Sequence, residues 1–344
     1  MKTMQTQQAG ISLIELMIAI AIGFFLSSVI IEMHISNRNT FSATADLANM
    51  QENLRFGSQI MSDEFRMTGY IGCVKPSNNV FTNTIPSPPW NENFAIPLVG
   101  YEAANTNPGQ TVNLANQATS TTAANWSPAL PITTASNPVV SQYSDAILVS
   151  HAATATISTV TALGTNSLTA PGVGSMINNA NLGTLPALYV SDCGYSQTFI
   201  PTSVSTNSVG YNSLTQSFPI GSEIMVGHTA LFFVGTASGA TEPSLFRQVG
   251  TQAPDSIADG IENMQILYGV DTDADGYPNQ YMPGNTATMA NVVTIRLGLL
   301  AQTNSNHEPS ASVKTYTLAG TTVQTPSDQL MRQAVDLTFR IRNP

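Results

Sequence analysis

A single carboxylate, that of Glu15, interrupts a long apolar run near the start of the chain, where a charged side chain needs an oppositely charged partner. Between Ile11 and Ile31 every residue except Glu15 is uncharged. The run has the roughly 20 residues that a bilayer-spanning helix needs. A carboxylate costs about 2.5–3.5 kcal/mol at the centre of such a helix and less near its end. Because an unpaired charge is costly there, the position of Glu15 predicts a pairing role.

A second candidate for chemistry is the segment DTDADGYPN, which begins at Asp271. Asp271, Asp273 and Asp275 alternate with single residues and precede a glycine, as in the first half of an EF-hand calcium loop. Met282 stands where an EF-hand has its bidentate glutamate. The segment therefore predicts one of two structures. It is either a shorter calcium loop completed by a remote ligand, with Ca²⁺ as the one candidate cofactor, or an Asx turn between strands, which also favours Asp and Gly.

The other polar residues match no motif for catalysis or metal binding. None of the four histidines belongs to a metal-ligand or nucleophile motif: His34, His151, His228 and His307. His151 ends an apolar stretch and is expected to be a structural residue. Asp63 and Glu64 are adjacent on a predicted helix, so they point in different directions and are expected on a solvated face. The sequence therefore predicts a protein that is not an enzyme.

Composition indicates a β-rich protein that works outside the cytoplasm. Charged residues make up 9% of the chain, against about 25% in an average soluble domain. Between Glu102 and Glu223 the only charged residues are Asp145 and Asp192. The net charge is −10 and there is no basic stripe, which argues against nucleic acid as a partner.

The two cysteines, Cys73 and Cys193, leave two redox states open. In a cytosolic protein they are expected to be free thiols, whereas export to an oxidising compartment favours a disulfide bond. Closing a loop of this length stabilises a fold by about 4–5 kcal/mol in the chain-entropy model. If the apolar run exports the rest of the chain, the sequence predicts the disulfide.

A helical pattern continues far beyond the apolar run. Apolar residues recur at steps of three, four and seven: Leu47, Met50, Leu54, Met61 and Phe65. No proline occurs before Pro76, so one helix is predicted from about Ser12 to Met67. The alternative is an anchor helix and a separate domain helix with a break near Ser36. A removable secretory signal fits less well, because the run exceeds about 7–15 residues and no A-x-A cleavage site follows it.

The rest of the chain reads as an antiparallel β-rich head. Short apolar or alternating runs bounded by turn-forming residues predict strands at residues 145–150, 186–191, 223–226, 231–234, 291–297 and 333–342. Residues 77–137 are rich in Pro, Asn, Thr and Ala, which indicates long loops with few strands. The predicted fold class is α+β, with a long N-terminal helix packed on this head.

The N-terminal motif carries a family resemblance. The segment GISLIEL, residues 10–16, resembles the processing site of type IV pilins and type II secretion pseudopilins. The resemblance implies that prepilin peptidase cleaves after Gly10 and that the new terminus, Ile11, is methylated. Many family members have Phe at this first position, so Ile is a departure. In the assembled state, Glu15 would pair with the Ile11 amine of a neighbouring subunit.

Later blocks resemble one subfamily, the PilW family of minor type IV pilins. They lie at residues 51–56, 63–73, 191–193, 260–271 and 339–343. With the N-terminal motif they imply a type IV pilin-like fold in four parts: a leader, a hydrophobic transmembrane and assembly helix, an amphipathic continuation, and a β-rich globular head. The implied limits are residues 1–10, 11–32, 33–70 and 71–344.

The resemblance implies a non-enzymatic subunit of a tip complex that primes pilus assembly. The chain would cross the inner membrane once, with a periplasmic head, and would reach the pilus tip at the cell surface. Implied partners are other minor pilins, the major pilin, prepilin peptidase, the inner-membrane assembly machinery and a PilY-type tip protein. Two alternatives stay open: a minor pseudopilin of type II secretion, and a membrane-anchored adhesin that binds a surface ligand through residues 77–137.

Overall fold

The computed structural model describes most of the chain and divides it into two compact units. The described residues are 12–74, 80–117, 121–132, 137–153, 157–182, 185–212 and 214–342. The first unit ends at Asn49 and the second begins at Met50. This division lies inside the first helix, so the predicted domain limits at residues 10, 32 and 70 stay predictions.

The first helix, α1, runs from Leu13 to Met67 without interruption. In the described part of the chain it is the one helix long and apolar enough to span a membrane, with a mean hydropathy of 2.5 over its most apolar window. None of that window is buried. Three hydroxyl groups in the first unit, of Ser28, Thr40 and Thr44, donate hydrogen bonds to carbonyl oxygens of the preceding turn. These polar residues are therefore satisfied within the helix.

The part of α1 in the second unit has one buried face, which begins with Met50 and Leu54 and ends with Phe65. The Phe65 ring lies edge-on to two rings of the β-sheets, with centroid distances of 6.1 Å to Phe232 and 5.6 Å to Phe339. The predicted apolar stripe is therefore the surface by which the helix packs on the head.

Gly57 lies on this face in close contact with the large sheet. A Cβ atom at this position would meet the Ala258 Cβ at 3.1 Å and the Leu245 Cδ2 at 3.3 Å. The apolar repeat is therefore interrupted at Gly57 because the helix backbone itself contacts the sheet at this position.

Twenty-two strands and a second helix complete the described part of the chain. The strands of the first half are β1 Phe81–Asn83, β2 Leu98–Ala103, β3 Thr111–Asn113, β4 Trp126–Ser127, β5 Val139–Val140, β6 Ala146–Ala152, β7 Ser158–Thr159, β8 Ala162–Gly164, β9 Ser167–Thr169, β10 Leu188–Ser191 and β11 Ser196–Phe199. Those of the second half are β12 Ser203–Val204, β13 Ser208–Gly210, β14 Glu223–Thr236, β15 Ser244–Val249, β16 Asp255–Asp259, β17 Ile261–Val270, β18 Gln280–Pro283, β19 Val292–Asn306, β20 Thr315–Leu318, β21 Thr321–Gln324 and β22 Leu330–Arg340. The short helix α2 is Val173–Ala180, and 3₁₀ turns lie at Trp90–Glu92, Leu114–Asn116, Ala123–Asn125 and Met289–Asn291.

The strands form four sheets. The largest has eleven strands in the order β1-β11-β10-β14-β6-β2-β4, with β5, β7 and β15 also paired to β14 and β16 paired to β15. The others are β12-β13-β9-β8, β18-β17-β19-β22 and β20-β21-β3. Strand pairs are antiparallel except β1 with β11 and β3 with β21. The long helix and this mostly antiparallel head confirm the predicted α+β class.

The C-terminal sheet contains a buried ion-pair cluster. The Arg332 guanidinium on β22 donates to both Glu262 carboxylate oxygens on β17, at 2.6 and 3.1 Å. It also donates to both Asp328 oxygens at 2.7 Å. The Arg332 side chain is 1% exposed and that of Glu262 is 8% exposed. The cluster therefore links β22 to β17 across the intervening strand β19.

The structure contains several strands outside the predicted runs, β15 and β17 among them, and two further differences concern the large sheet. The runs at 223–226 and 231–234 belong to a single strand, β14, which is 14 residues long. Within residues 77–137, strand β2 was not predicted. It lies between β6 and β4 in the large sheet, and its last four residues are buried. Its sequence, LVGYEA, contains a glycine and a glutamate, and both have partners distant in sequence that a local pattern does not reveal.

Candidate functional site

Glu15 lies in the first turn of α1. Its Oε2 accepts a hydrogen bond of 3.1 Å from the Ser12 backbone N–H, a capping contact that satisfies one of the free donors at a helix start. Gly10 and Ile11, the predicted cleavage and methylation residues, lie outside the described residues. Their roles, and the pairing of Glu15 with a neighbouring subunit, stay predictions.

The structure contains the disulfide bond that the sequence predicted for an exported chain. Cys73 and Cys193 are joined across 120 positions of sequence, with their Cα atoms 4.7 Å apart. Cys73 follows the end of α1, and Cys193 lies in the turn between β10 and β11. The Asp192 carboxylate shapes that turn, because it accepts from the backbone N–H groups of Gly194 and Tyr195 at 3.0 and 2.7 Å.

The Asp271 segment forms the turn between β17 and β18. The Asp271 carboxylate accepts hydrogen bonds from the backbone N–H groups of Asp273, Ala274 and Gly276, at 3.1, 2.7 and 2.7 Å. Burial opposes ionisation of Asp271, but these donors outweigh it and lower its pKa. Ala274 and Gly276 adopt positive φ of 62° and 84°. The geometry is that of the Asx turn, one of the two structures the sequence left open.

The same turn brings three carboxylates together. One oxygen each of Asp271, Asp273 and Asp275 lie within 4.8 Å of one another. Arg340 is a neighbour of the turn, since its Nη2 donates to the Gly276 carbonyl at 3.2 Å. The Asx turn explains the positions of the acidic residues without an ion, so calcium binding stays a prediction.

We expect calcium to raise the melting temperature of the detergent-extracted full chain if the turn binds it. With Kd in the 10⁻⁴–10⁻³ M range typical of weak extracellular sites, 10 mM calcium adds about 1.4–2.7 kcal/mol, or about 3–6 °C. Asp273→Ala should abolish the rise, and Asp255→Ala, an exposed aspartate elsewhere, should keep it. Equal melting with calcium and with chelator would leave the segment an ordinary turn.

Two buried carboxylates that the sequence did not single out are Glu102, in β2 of the large sheet, and Asp145, which directly precedes β6. Asp145 accepts from the backbone N–H of Ala103 at 2.9 Å and of Ile266 at 2.8 Å, linking β2 to β17. Glu102 accepts from the Gly284 N–H at 3.0 Å. Burial raises the pKa of Glu102 to about 7. Burial, followed by the charge of Glu102, raises the pKa of Asp145 well above its usual value.

Because of Glu102 and Asp145, we expect the free energy of unfolding to decrease as the pH rises. The folded state holds a proton on Glu102 that the unfolded chain releases near pH 4.5, so the stabilisation is complete below about pH 4.5 and is lost as the pH passes about 7. A shift of this size corresponds to about 3 kcal/mol. Urea unfolding of the detergent-extracted chain at pH 5 and pH 8 measures it. Glu102→Gln should reduce the pH dependence and leave the part that comes from Asp145, whereas a flat wild-type profile would contradict the assignment.

Exposed Glu52 provides the matched control for this experiment. Its side chain is 61% exposed and pairs with Arg55 on the helix surface. The Glu52→Gln variant should therefore keep the pH dependence of the wild-type chain. A flattened profile in this control would show that the effect does not come from the buried pair.

The prediction that Glu64 lies on a solvated face is wrong. Asp63 is exposed, but the Glu64 side chain is only 13% exposed and lies between two histidines. Its Oε2 is 3.0 Å from His151 Nε2, and its Oε1 is 3.2 Å from His228 Nε2. Burial alone would raise the pKa of Glu64, but the hydrogen bonds of the two histidines hold it well below its usual range.

A local signal for the Glu64 position exists in the sequence. Glu64 follows Met61 by three residues and Gly57 by seven, so it falls on the buried stripe of α1. Its two histidine partners lie in apolar strands 87 and 164 positions away. The helical spacing could have placed Glu64 at the interface, but only the strand pairing reveals its partners.

Comparison with known families bears on both ends of the chain. Residues 231–343, from the second half of β14 to β22, match the family model described as Type IV Pilus-assembly protein W. Residues 5–31 match the prokaryotic N-terminal methylation motif. These matches confirm the resemblance that the sequence motifs indicated. No curated protein matches the chain, and no solved structure matches it.

Proposed function

We propose that this chain, a type IV pilus-related minor pilin by its two family matches, belongs to a tip complex that primes pilus assembly. The observation that carries the proposal is the presence, in one chain, of the methylation motif and the pilus-assembly match over the C-terminal sheets. The exposed apolar face of α1 supports it, because such a helix needs either a membrane or neighbouring helices to cover it.

Assembly would proceed through the first turn of α1. Removal of the leader places a positively charged amine at Ile11, and Glu15 of an adjacent subunit supplies the opposite charge. Since an unpaired charge buried among apolar helices is strongly disfavoured, the pair selects one register between neighbours. The chain thus passes from the membrane into a helical bundle without leaving either charge unpaired.

A position at the tip agrees with the size of the head. The second unit spans residues 50–344 and carries four sheets. A head of this bulk is difficult to repeat along a thin shaft but meets no such limit at an end. The chain would act with other minor pilins and with the major pilin, whose polymerisation it starts.

Counting pili and locating the chain test this function together. We expect few or no surface pili in cells that lack the chain, recovery on complementation, and immunogold label at pilus ends. Label spread evenly along the shaft would contradict the tip position. Normal pili with a secretion defect would favour the pseudopilin alternative, and normal pili with lost surface attachment would favour the adhesin.

Leader removal is expected to leave a mature chain that begins at Ile11. The basis is the GISLIEL motif, residues 10–16, and the match to the methylation motif over residues 5–31. The intact mass of membrane-extracted protein should show loss of residues 1–10 and gain of one methyl group. A bulky residue in place of Gly10 should block cleavage, and Gly23→Ala, at a helical glycine with open space around it, should not. Loss of the whole apolar run would contradict this processing.

A further inference from the structure

We propose that Glu64, His151 and His228 form a binding site for one Zn²⁺ ion, with water as the fourth ligand. Each of the three side chains comes from a different element of the second unit: α1, β6 and β14. The two histidines are direct cross-strand partners in the large sheet, and their ring centroids lie 4.8 Å apart. Because strands and helix fix the backbone of each ligand, the site is preorganised.

The proton positions around His151 leave a lone pair that needs a cation. Its Nδ1 lies 2.9 Å from the Ala152 carbonyl oxygen, which can only accept, so Nδ1 carries a proton. In a neutral ring, Nε2 is then unprotonated, yet it faces the Glu64 carboxylate at 3.0 Å. Two acceptors at this distance require a positive charge between them. A metal ion supplies that charge, and so does a second proton on the ring.

The contact with Ala152 favours the metal ion. Histidines that bind metals usually donate their other ring N–H to a carbonyl or a carboxylate, which fixes the tautomer and directs the lone pair at the ion. His151 has this arrangement through its own strand. The backbone of β6 therefore presents Nε2 in the form that a metal requires.

The dimensions of the cluster suit a tetrahedral ion. Bonds of about 2.0–2.1 Å from zinc to nitrogen and oxygen place neighbouring ligand atoms about 3.4 Å apart. Glu64 contacts His151 through Oε2 at 3.0 Å and His228 through Oε1 at 3.2 Å. One ligand atom from each of the three residues lies within 4.8 Å of the other two. Rotation of the Glu64 carboxylate and small side-chain movements would bring one oxygen and the two nitrogens to this spacing.

The donor set selects the type of metal. Two imidazole nitrogens and one carboxylate are poor ligands for Ca²⁺ and Mg²⁺, which prefer oxygen, and suit zinc and its neighbours in the transition series. The His228 side chain is 20% exposed, so one side of the cluster is open to solvent. That opening leaves room for the fourth ligand.

Arg247 weakens the site and provides a sharp test of it. Its Nη1 lies 3.8 Å from Glu64 Oε1, and its side chain is 31% exposed. The guanidinium repels an incoming cation while attracting the same carboxylate. Removing the charge with Arg247→Gln should therefore tighten zinc binding, by about tenfold for a partly screened charge at this range. A cluster that only pairs charges gains nothing from this change.

The experiment uses the full chain in detergent, without a histidine tag. After chelator treatment, zinc is added, unbound metal is removed by dialysis, and bound metal is counted by mass spectrometry. We expect one equivalent in the wild-type chain and a higher melting temperature with zinc than with chelator. Cobalt in place of zinc should give the visible absorption of a tetrahedral site.

Matched variants decide whether these three residues hold the metal. His228→Gln should weaken binding by more than about 100-fold, beyond the cost of losing an outer-shell contact. His307→Gln, which changes a histidine outside the cluster, should bind as the wild-type chain does. Zinc binding that is absent from the wild-type chain, or equal in wild type and His228→Gln, would overturn the proposal and leave an ion-pair cluster with a doubly protonated histidine. Should His228→Gln fail to fold, the wild-type stoichiometry and Arg247→Gln still decide.

Discussion

Glu15→Ala is expected to remove the chain from pili while leaving it in the membrane. Insertion loses a carboxylate that is costly in a bilayer, so membrane levels should stay equal or rise. Assembly loses the partner of the neighbour's Ile11 amine, and breaking a buried charge pair costs about 3–5 kcal/mol. We therefore expect the amount in sheared pili to fall by more than about tenfold. Membrane fractionation and blots of sheared pili measure the two steps separately.

Glu32 provides the matched control for this experiment. It is the next acidic residue along α1, it is exposed, and it follows the apolar run instead of interrupting it. Glu32→Ala should enter pili at the wild-type level, because no amine is expected to face it. If Glu15→Ala also enters pili normally, the charge pairing between subunits is wrong, even if the leader is removed as expected.

Arg332→Met is expected to destabilise the head by about 3–5 kcal/mol, since it leaves the buried Glu262 carboxylate without its counter-charge. The guanidinium is 1% exposed and bonds to Glu262 and Asp328 together. Without it, nothing offsets the burial that raises the pKa of Glu262. The deficit should shrink as the pH falls and Glu262 takes up a proton. Urea unfolding of the detergent-extracted chain measures both effects.

A second ion pair on the same sheet, between Arg296 and Asp336, is a control for the effect of burial on the stability that an ion pair contributes. Arg296 on β19 bonds to Asp336 on β22 at 2.8 Å, but their side chains are 42% and 32% exposed. Arg296→Met should cost no more than about 1 kcal/mol, the usual contribution of a surface pair. Equal losses for Arg296→Met and Arg332→Met would mean that exposure does not govern these pairs. The double change of Arg332→Met with Glu262→Gln should recover part of the lost stability.

Features with short sequence periods could be predicted from the sequence. The helix from Leu13 to Met67 follows from an apolar run that passes into a stripe, with no proline to stop it. The strand β22, Leu330–Arg340, follows from its alternation, because its last side chains are in turn partly buried and exposed while its backbone pairs with β19. In both cases neighbouring residues carry the whole signal.

Apart from the disulfide, which the cysteine count indicated, contacts between distant elements could not be predicted. β2 contains Gly100 because the Tyr268 ring occupies the space where a side chain would lie. Glu102 in the same strand is buried beside Asp145, whose partners come from β2 and β17. From the local sequence alone, Gly100 and Glu102 only lower the strand propensity of this segment. The Glu64 cluster escaped for the same reason, since its members come from three elements that meet only in the folded chain.

The disulfide between Cys73 and Cys193 determines how the chain responds to a stretching force. When tension is applied to the two ends of the chain, force passes through the sulfur bridge and bypasses the 120 positions between the cysteines. Those residues, from β1 to β10, cannot be drawn out, which shortens the extensible contour by about 400 Å. A pulled molecule would lengthen by the remaining chain only, and adding a reductant would release the hidden length as a separate step in single-molecule extension.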